Sequence, residues 1–202
     1  MKSLFQSIID HEAAAILSIP IGDRYNHAIA LIIEHVHHRN GKLVVSGMGK
    51  AGQIGMNIAT TFASTGTPAI FMHPSEAQHG DLGVLQPNDL LLLISNSGKT
   101  REIVEVVALA HNLYPHLPLI VITGDTTSPL ATAADICLPT GCPPEVCPLG
   151  LTPTTSTTIM TVIGDLLVVG TMTRIGFTRE EYAKRHHGGY LGEKARNECE
   201  KR

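Results

Sequence analysis

Short apolar runs alternate with amphipathic segments along most of this 202-residue chain. Five runs rich in leucine, isoleucine and valine predict β-strands over residues 43–46, 69–72, 90–95, 119–123 and 135–138. Apolar residues spaced three and four apart predict helices over residues 3–17, 23–37, 53–64, 101–111, 129–132 and 155–174. This alternation is typical of an α/β fold, in which a parallel sheet carries helices on both faces.

The chain is expected to form one domain. Two predicted N-terminal helices, within residues 1–40, should pack on an α/β domain that covers residues 41–192. Residues 193–202 are rich in charge and predict a C-terminal tail. A hydrophobic content of 43% over 202 residues suffices to bury a single core.

The composition excludes several classes of partner. A net charge of −3 with dispersed lysines and arginines offers no basic surface to nucleic acid, and the absence of tryptophan leaves few platforms for base stacking. No apolar run approaches the ~18 residues that cross a bilayer, and no leader precedes an apolar core, so we expect a cytoplasmic protein without membrane contact. The four cysteines lack the paired spacing of a zinc site and are interpreted as reduced thiols.

The third predicted strand ends in a loop of sequence SNSGKT, residues 95–100, which leads into a helix. Its hydroxyl groups and the backbone N–H groups at a helix start are donors that suit a phosphate. The ending resembles a nucleotide-binding P-loop, but that motif needs a glycine five residues before Gly98, where this chain has Leu93. The loop therefore predicts a site for a compact phosphate rather than for a nucleoside triphosphate.

A second glycine-rich loop, GMGKAG over residues 47–52, follows the first predicted strand. It matches the dinucleotide-binding pattern, but the second strand ends Phe71-Met72-His73 without the acidic residue that holds a ribose. We expect the glycines to bring backbone amides close to a small ligand, with Lys50 beside it as a point charge. A tight turn with an exposed lysine is the structural alternative.

Ligands of open parallel sheets bind beyond the carboxyl ends of the strands, so the loops after the first four strands should converge. These loops carry Lys50, His79, Asp81, Ser95, Ser97, Thr100, Glu102 and Thr123. Ionisable groups beside a phosphate site predict proton transfer on a phosphorylated small molecule. For Glu102 an equal alternative is an acid that merely stabilises a helix start, and a helix cap is likewise the alternative for the hydroxyl run 154–158.

Five motifs occur in order: GMGKAG, HPSEAQHGDLG, SNSGKT, EVCPLGLTPTTSTT and HHGGYLG. Together they resemble the sugar isomerase (SIS) domain of bacterial arabinose 5-phosphate isomerases over residues 41–192. The resemblance implies a doubly wound, five-stranded parallel sheet of the flavodoxin-like type. It also implies interconversion of D-ribulose 5-phosphate and D-arabinose 5-phosphate through an enediol, in the synthesis of Kdo for lipopolysaccharide. A homotetramer with shared active sites, no cofactor and no required metal are implied as well.

The same resemblance implies catalytic roles for Lys50, His79, Glu102, Glu145 and His186, and substrate or phosphate contacts from Gly49, Ser95, Asn96, Ser97 and Thr100. The base that removes a proton is Glu145 or Glu102. Ring opening falls to His186 or His79, and Lys50 polarises the carbonyl or contacts the phosphate. No fixed three-ligand motif is present, so zinc near His79 is expected to inhibit rather than to catalyse.

The chain departs from the usual form of these motifs at four positions: Lys99, Val146, Thr152 and His187. Lys99 adds a cation beside the predicted phosphate loop, residues 95–100, and His187 leaves two candidates for the functional histidine.

Two other functions stay open. One is an isomerase for another sugar phosphate, such as a hexulose 6-phosphate, and the other is a non-catalytic sensor of a sugar phosphate or of CMP-Kdo. The presence of Glu102, Glu145 and His186 favours catalysis.

Overall fold

The computed structural model describes residues 1–199, and side chains as far as residue 196. Its centre is a sheet of five parallel strands in the order β2-β1-β3-β4-β5. The strands are β1 (Leu43–Gly47), β2 (Ala69–Phe71), β3 (Leu90–Ile94), β4 (Leu119–Thr123) and β5 (Ile136–Pro139). This is the flavodoxin-like order, so the predicted fold class is confirmed.

Helices cover both faces of the sheet. They are α1 (Lys2–Leu17), α2 (Asp23–Ile32), α3 (Gly49–Ser64), α4 (Pro74–Ala77), α5 (Arg101–Leu113), α6 (Pro129–Ala133), α7 (Thr155–Arg174), α8 (Arg179–Arg185) and α9 (Gly189–Cys199). A π-helical turn, Ile33–His38, continues α2, and a 3₁₀ turn, Asp81–Val84, precedes β3.

The alternation of side chains along the central strands builds two apolar layers. Val45 and Leu92 belong to the layer that α1, α2, α3 and α7 cover. Val44 and Leu91 point the other way, into the layer beneath α4, α5 and α6. Strands β1, β3 and β4 are buried along their whole length, which explains why they are continuous apolar runs rather than alternating ones.

Several boundaries differ from the sequence-based expectation. Helix α3 begins at Gly49 rather than at residue 53, because the glycine-rich loop itself forms its first turn. Helices α4, α8 and α9 were not predicted, since they are short or lack an apolar stripe. Of the predicted tail, residues 193–199 belong to α9, whereas residues 200–202 and the side chain of Cys199 lie outside the described part of the chain.

Helix α7 is by length and composition apolar enough to cross a membrane, which corrects the expectation that no apolar run is long enough. The mean hydropathy of the segment reaches 1.4 although it contains several threonines and two glycines. Half of the segment is buried, where α7 packs against α1, α2 and α3. A core helix passes the same test, so the finding gives only weak support for a membrane span.

Candidate active site

The loops after β1 and β3 lie side by side at the carboxyl edge of the sheet. The two strands are neighbours, with Gly47 in register with Ile94 at their ends. The chain winds outward in opposite directions from this pair, to β2 on one side and to β4 on the other. Such a switch point leaves a crevice between the two loops, where ligands of open α/β sheets bind.

The SNSGKT loop forms a tight cradle held by its own hydroxyl groups. The Ser95 hydroxyl lies 2.9 Å from the Thr100 hydroxyl and accepts a hydrogen bond from the Gly98 amide at 3.2 Å. The Lys99 amide donates to Ser97 Oγ, also at 3.2 Å. Helix α5 starts at Arg101, directly after the loop, so its first amides and the positive end of its dipole lie beside the cradle.

The loop after β4 supports this cradle from behind. The Gly124 amide donates to the Asn96 carbonyl at 2.9 Å, and the Lys99 ammonium lies 2.9 Å from Asp125. Hydrogen bonds from Thr127 and then from Lys99 lower the pKa of Asp125 to about 2. Asp125 is therefore ionised at neutral pH and holds the Lys99 charge at the outer side of the loop.

The GMGKAG loop closes tightly on itself. Gly47 and Gly52 pack backbone to backbone, because a β-carbon on Gly52 would lie 2.5 Å from the Gly47 carbonyl oxygen. Gly49 adopts a φ of +60°, with open space where a side chain would be. Two of the three glycines thus serve the turn, and the open space at Gly49 leaves its backbone approachable. Lys50 follows it on the first turn of α3 and is exposed.

A cavity of about 280 Å³ lies between the two loops and the start of α7. Its walls are formed by Met48, Lys50, Ala51, Ile94, Ser95, Asn96, Ser97, Thr100, Pro153, Thr157 and Met160. The predicted phosphate contacts from residues 95–97 and Thr100 thus meet Lys50 in one space. A larger cavity of about 460 Å³ lies between the end of α7 and the α8–α9 hairpin, and no predicted site residue lines it.

Glu145 lies beside the start of α7, one wall of the smaller cavity. Its Oε2 accepts hydrogen bonds from the Thr154 amide at 2.7 Å, the Thr154 hydroxyl at 2.8 Å and the Ser156 amide at 3.3 Å. Partial burial would raise the pKa of Glu145, but the hydrogen bonds from Ser156 and Thr154 outweigh it and lower the pKa. The carboxylate is therefore ionised at neutral pH.

The other predicted catalytic residues lie apart from this cavity. Glu102 stands on the first turn of α5, directly after the SNSGKT loop, but does not line the cavity. His79 is exposed in the turn after α4. His186 ends α8, stacks on Tyr182 with ring centres 3.7 Å apart, and donates from Nδ1 to the Tyr182 carbonyl, which can only accept. One chain therefore brings together the predicted phosphate donors and Lys50. Glu145, like Glu102, lies beside the cavity without lining it, and neither histidine lines it.

The sequence reasoning missed the contribution of α7. Thr157, Met160 and the preceding Pro153 line the cavity, although none was proposed as a contact. The hydroxyl run 154–158 was a usable signal, because three of its members surround Glu145 or face the cavity. Within the part of the chain that the structure describes, no three His, Cys, Asp or Glu side chains are grouped to hold a metal ion.

The loop that carries Glu145 also contains an activated thiol. Hydrogen bonds from the Thr152 side chain, from the Thr152 amide and from the amides of Leu149 and Leu151 lower the pKa of Cys147 to about 6. Cys137, on β5, differs because burial raises the pKa of its thiol. Of these two cysteines, Cys147 is therefore the one that is a thiolate at neutral pH.

Comparison with known proteins gives a consistent set of similarities. The SIS domain model matches residues 36–170. Arabinose 5-phosphate isomerase KdsD of Shigella flexneri is 50% identical over 173 residues, which are 85% of this chain and 52% of that protein. The chain thus spans about half the length of the curated relatives it matches.

Two solved structures cover nearly the whole of both chains. A proposed phosphosugar isomerase of Bacteroides fragilis NCTC 9343, involved in capsule formation, is 68% identical with a TM-score of 0.93, covering 94% of this chain and 99% of that one. A protein of Escherichia coli CFT073, solved in complex with arabinose 5-phosphate, is 34% identical with a TM-score of 0.82, covering 91% and 96%.

Proposed function

This chain belongs to the SIS domain family, and on that premise we propose that it interconverts D-ribulose 5-phosphate and D-arabinose 5-phosphate. The observation that carries the proposal is the cavity in which the SNSGKT loop faces Lys50. Its donors suit a monophosphate, and a volume of about 280 Å³ suits a small sugar rather than a nucleotide. The arabinose 5-phosphate complex of the similar E. coli protein and the names of the curated relatives support the same substrate.

The phosphate group is held by the loop after β3. Ser95, Ser97 and Thr100 offer hydroxyl donors, and the start of α5 adds amide donors and a positive dipole end. Lys50 stands on the opposite wall of the cavity. Next to the phosphate it strengthens substrate binding, whereas next to the oxyanion that forms on the sugar it lowers the barrier of the reaction.

The reaction moves a proton between two neighbouring carbons of the open-chain sugar. In the direction of arabinose 5-phosphate, a base removes a proton from C1 of the ketose, the electrons form an enediol, and a proton returns to C2. Glu145 is our first candidate for that base, because all three of its hydrogen bonds fall on Oε2 and Oε1 remains to accept a proton. Glu102 is the second candidate, since it lies beside the phosphate loop.

The acid that opens the sugar ring is proposed to come from a second copy of the chain. Neither His79 nor His186 reaches the cavity of its own chain. A homotetramer with shared active sites would bring one of them to a neighbouring cavity, and ribulose 5-phosphate and arabinose 5-phosphate would be its only small-molecule partners. By the same proposal the enzyme works in the cytoplasm and supplies arabinose 5-phosphate for Kdo and lipopolysaccharide synthesis.

Incubation of the purified chain with ribulose 5-phosphate in D₂O, followed by NMR, tests the reaction. We expect arabinose 5-phosphate with deuterium at C2, because an enediol takes its proton from the solvent-exchanged base. Glu145→Gln or Glu102→Gln should lower kcat, depending on which is the base. Glu105→Gln, one turn further along α5 and outside the walls of the cavity, is the matched control that should not.

Three results would contradict parts of this proposal. Turnover of hexulose 6-phosphate but not of ribulose 5-phosphate would favour the isomerase of another sugar phosphate. Tight binding of a sugar phosphate or of CMP-Kdo without any turnover would favour a sensor. Wild-type activity in both Gln variants would remove the proposed carboxylate base.

A further inference from the structure

The loop that presents Glu145 is tied to the N-terminal helix α1. The residues on either side of Glu145 make these ties, and they reach two consecutive side chains of α1. On one side, the Pro144 carbonyl lies 2.9 Å from His11 Nε2. A carbonyl oxygen only accepts, so Nε2 of His11 is the protonated nitrogen and donates this hydrogen bond.

On the other side the tie runs through a buried hydroxyl group. The Val146 amide donates to Thr155 Oγ1 at 3.2 Å, and Thr155 Oγ1 lies 3.0 Å from Glu12 Oε1. Thr155 is fully buried. Since a hydroxyl has a single hydrogen and the amide already supplies its own, the Thr155 hydrogen points to Glu12. The two hydrogen bonds therefore run in one direction: Val146 donates to Thr155, and Thr155 donates to Glu12.

The helix that supplies these two side chains is itself anchored. Ala15 and Ile19, at and after the end of α1, are buried in the core layer that α7 shares. Glu145 binds the amides of Thr154 and Ser156, so Glu12 and Glu145 hold three consecutive residues at the start of α7 between them. The second oxygen of Glu12 is shielded from solvent. A shift of α1 would therefore move the backbone on both sides of Glu145.

We propose that Glu12 and His11 are positioning residues, through which α1 fixes Glu145 against the start of α7. They act on Glu145 and do not touch the sugar. The catalytic part of this inference rests on the proposed isomerase function, whereas the structural tie does not. A misplacement of a catalytic group by about 1 Å lowers turnover by about 100-fold, so the tie matters for kcat more than for phosphate binding.

The test compares Glu12→Ala with Glu12→Gln in the full chain. Hydrogen exchange at the Val146 amide reports the tie directly. We expect Glu12→Ala to lower the protection of that amide about tenfold or more, and to lower kcat by about 10- to 100-fold while KM stays within about twofold. Glu12→Gln keeps an oxygen that accepts from Thr155 and should retain at least about half of the wild-type kcat.

Two further variants make the result specific. Gln6→Ala removes an exposed hydrogen bond to Asp10, nearly two turns before Glu12 on α1, and should change neither readout. Thr155→Val keeps the shape but removes the hydroxyl, so adding Glu12→Ala to it should have little further effect, as expected for two residues in one chain of hydrogen bonds. If Glu12→Ala does not fold, Thr155→Val alone tests the same hydrogen bond, because it removes the hydroxyl that binds Glu12.

Unchanged Val146 protection in a folded Glu12→Ala variant would overturn the tie. Reduced protection with wild-type kcat would overturn its role in positioning Glu145. Equal losses in the Ala and Gln variants would overturn the hydrogen-bond account, because Gln keeps the shape and an accepting oxygen and lacks only the negative charge. If the wild-type chain had no isomerase activity, the proposed function would fail, while the exchange measurement would still decide whether α1 holds the loop.

Discussion

The strongest single prediction concerns Gly98, at the centre of the phosphate loop. Gly98 has a φ of +62°, and a β-carbon there would lie 1.9 Å from Ser128 Oγ and 2.5 Å from Ser128 Cβ. Ser128 cannot move aside easily. It is fully buried, its hydroxyl donates to the Asp125 carbonyl at 2.7 Å, and it accepts from the Ala131 amide at the start of α6. Gly98→Ala must therefore displace the phosphate loop.

The size of the effect follows from two terms. An alanine in the left-handed region costs about 1–2 kcal/mol in the folded protein. Relieving the contact with Ser128 to 3.0 Å also requires a shift of about 1 Å, which is enough to break hydrogen bonds from this loop to a phosphate. A hydrogen bond to a charged group contributes about 1.5–3 kcal/mol. Since 1.4 kcal/mol is a factor of ten, affinity for a sugar phosphate should fall about tenfold or more.

Titration calorimetry with arabinose 5-phosphate and with inorganic phosphate measures this loss. Gly176→Ala is the matched control, because Gly176 has a φ of +63° and, its chain neighbours aside, no heavy atom of the described residues lies within 4 Å of the added carbon. It should reduce the free energy of unfolding by about 1–2 kcal/mol and leave binding unchanged. Combining Gly98→Ala with Ser128→Gly removes the two Ser128 atoms from the contact and should restore part of the affinity.

Affinity within about twofold of wild type in Gly98→Ala would refute the reasoning, because it would mean that the loop does not hold the phosphate or does not have to move. Equal losses of binding in Gly98→Ala and Gly176→Ala would also refute it. In that case a general loss of stability, rather than the displaced loop, would explain the effect.

Three further predictions concern titrating groups near the site. Thr154→Val removes a hydroxyl that donates to Glu145 and should raise the pKa of Glu145. The acid limb of the profile of kcat/KM against pH should then move to higher pH. An acid limb that did not move would argue against Glu145 as the base. Iodoacetamide should modify Cys147 with a midpoint near pH 6, and Cys137 only at much higher pH. Peptide mass spectrometry measures the modification of each cysteine. Equal rates at Cys147 and Cys137 would contradict a hydrogen-bonded thiolate at Cys147. The pKa of Asp125 is lowered from 3.8 to about 2, so its stabilising effect is present above about pH 4 and is lost as the pH falls toward 2. Thermal midpoints of wild type and Asp125→Asn should therefore differ above pH 4 and converge toward pH 2.

The sheet could be predicted from the sequence because its central strands are buried on both faces. Such strands are continuous apolar runs bounded by turn residues, and β4 was predicted with its observed ends. Helix α7 was also predicted in full from its long apolar pattern. Burial leaves a strong mark on the sequence, so elements at the centre of the fold are the easiest to find.

Elements at the periphery left other signals. Helix α8 has no buried residue, so periodicity could not reveal it. Its start is nevertheless marked by Thr178, which accepts from the Glu181 amide, and by acids in the first turn and bases in the last. The predicted start of helix α3 lies four residues after its observed start, because its first turn is rich in glycine, a residue with poor helix propensity.

The phosphate half of the candidate site was predictable because its parts are local. SNSGKT and GMGKAG each follow a strand directly, and parallel strands place such loops at one edge of the sheet. The proton-transfer half depends on the path of a long segment between β5 and α7, which no local pattern determines. The position of Glu145 there is set by the start of α7 and by α1, more than 130 residues earlier in the chain.

This division explains why helix α1 matters to a loop that lies more than 130 residues later in the sequence. A loop without regular structure, such as residues 140–154, has no ladder of hydrogen bonds to fix a catalytic side chain to within the fraction of an ångström that proton transfer needs. Helix α7 supplies one rigid reference through its first amides, and α1 supplies a second through His11 and Glu12. If only α7 mattered, removal of the Glu12 carboxylate would leave Glu145 in place. If both are needed, the loop relaxes although every hydrogen bond of Glu145 itself is intact.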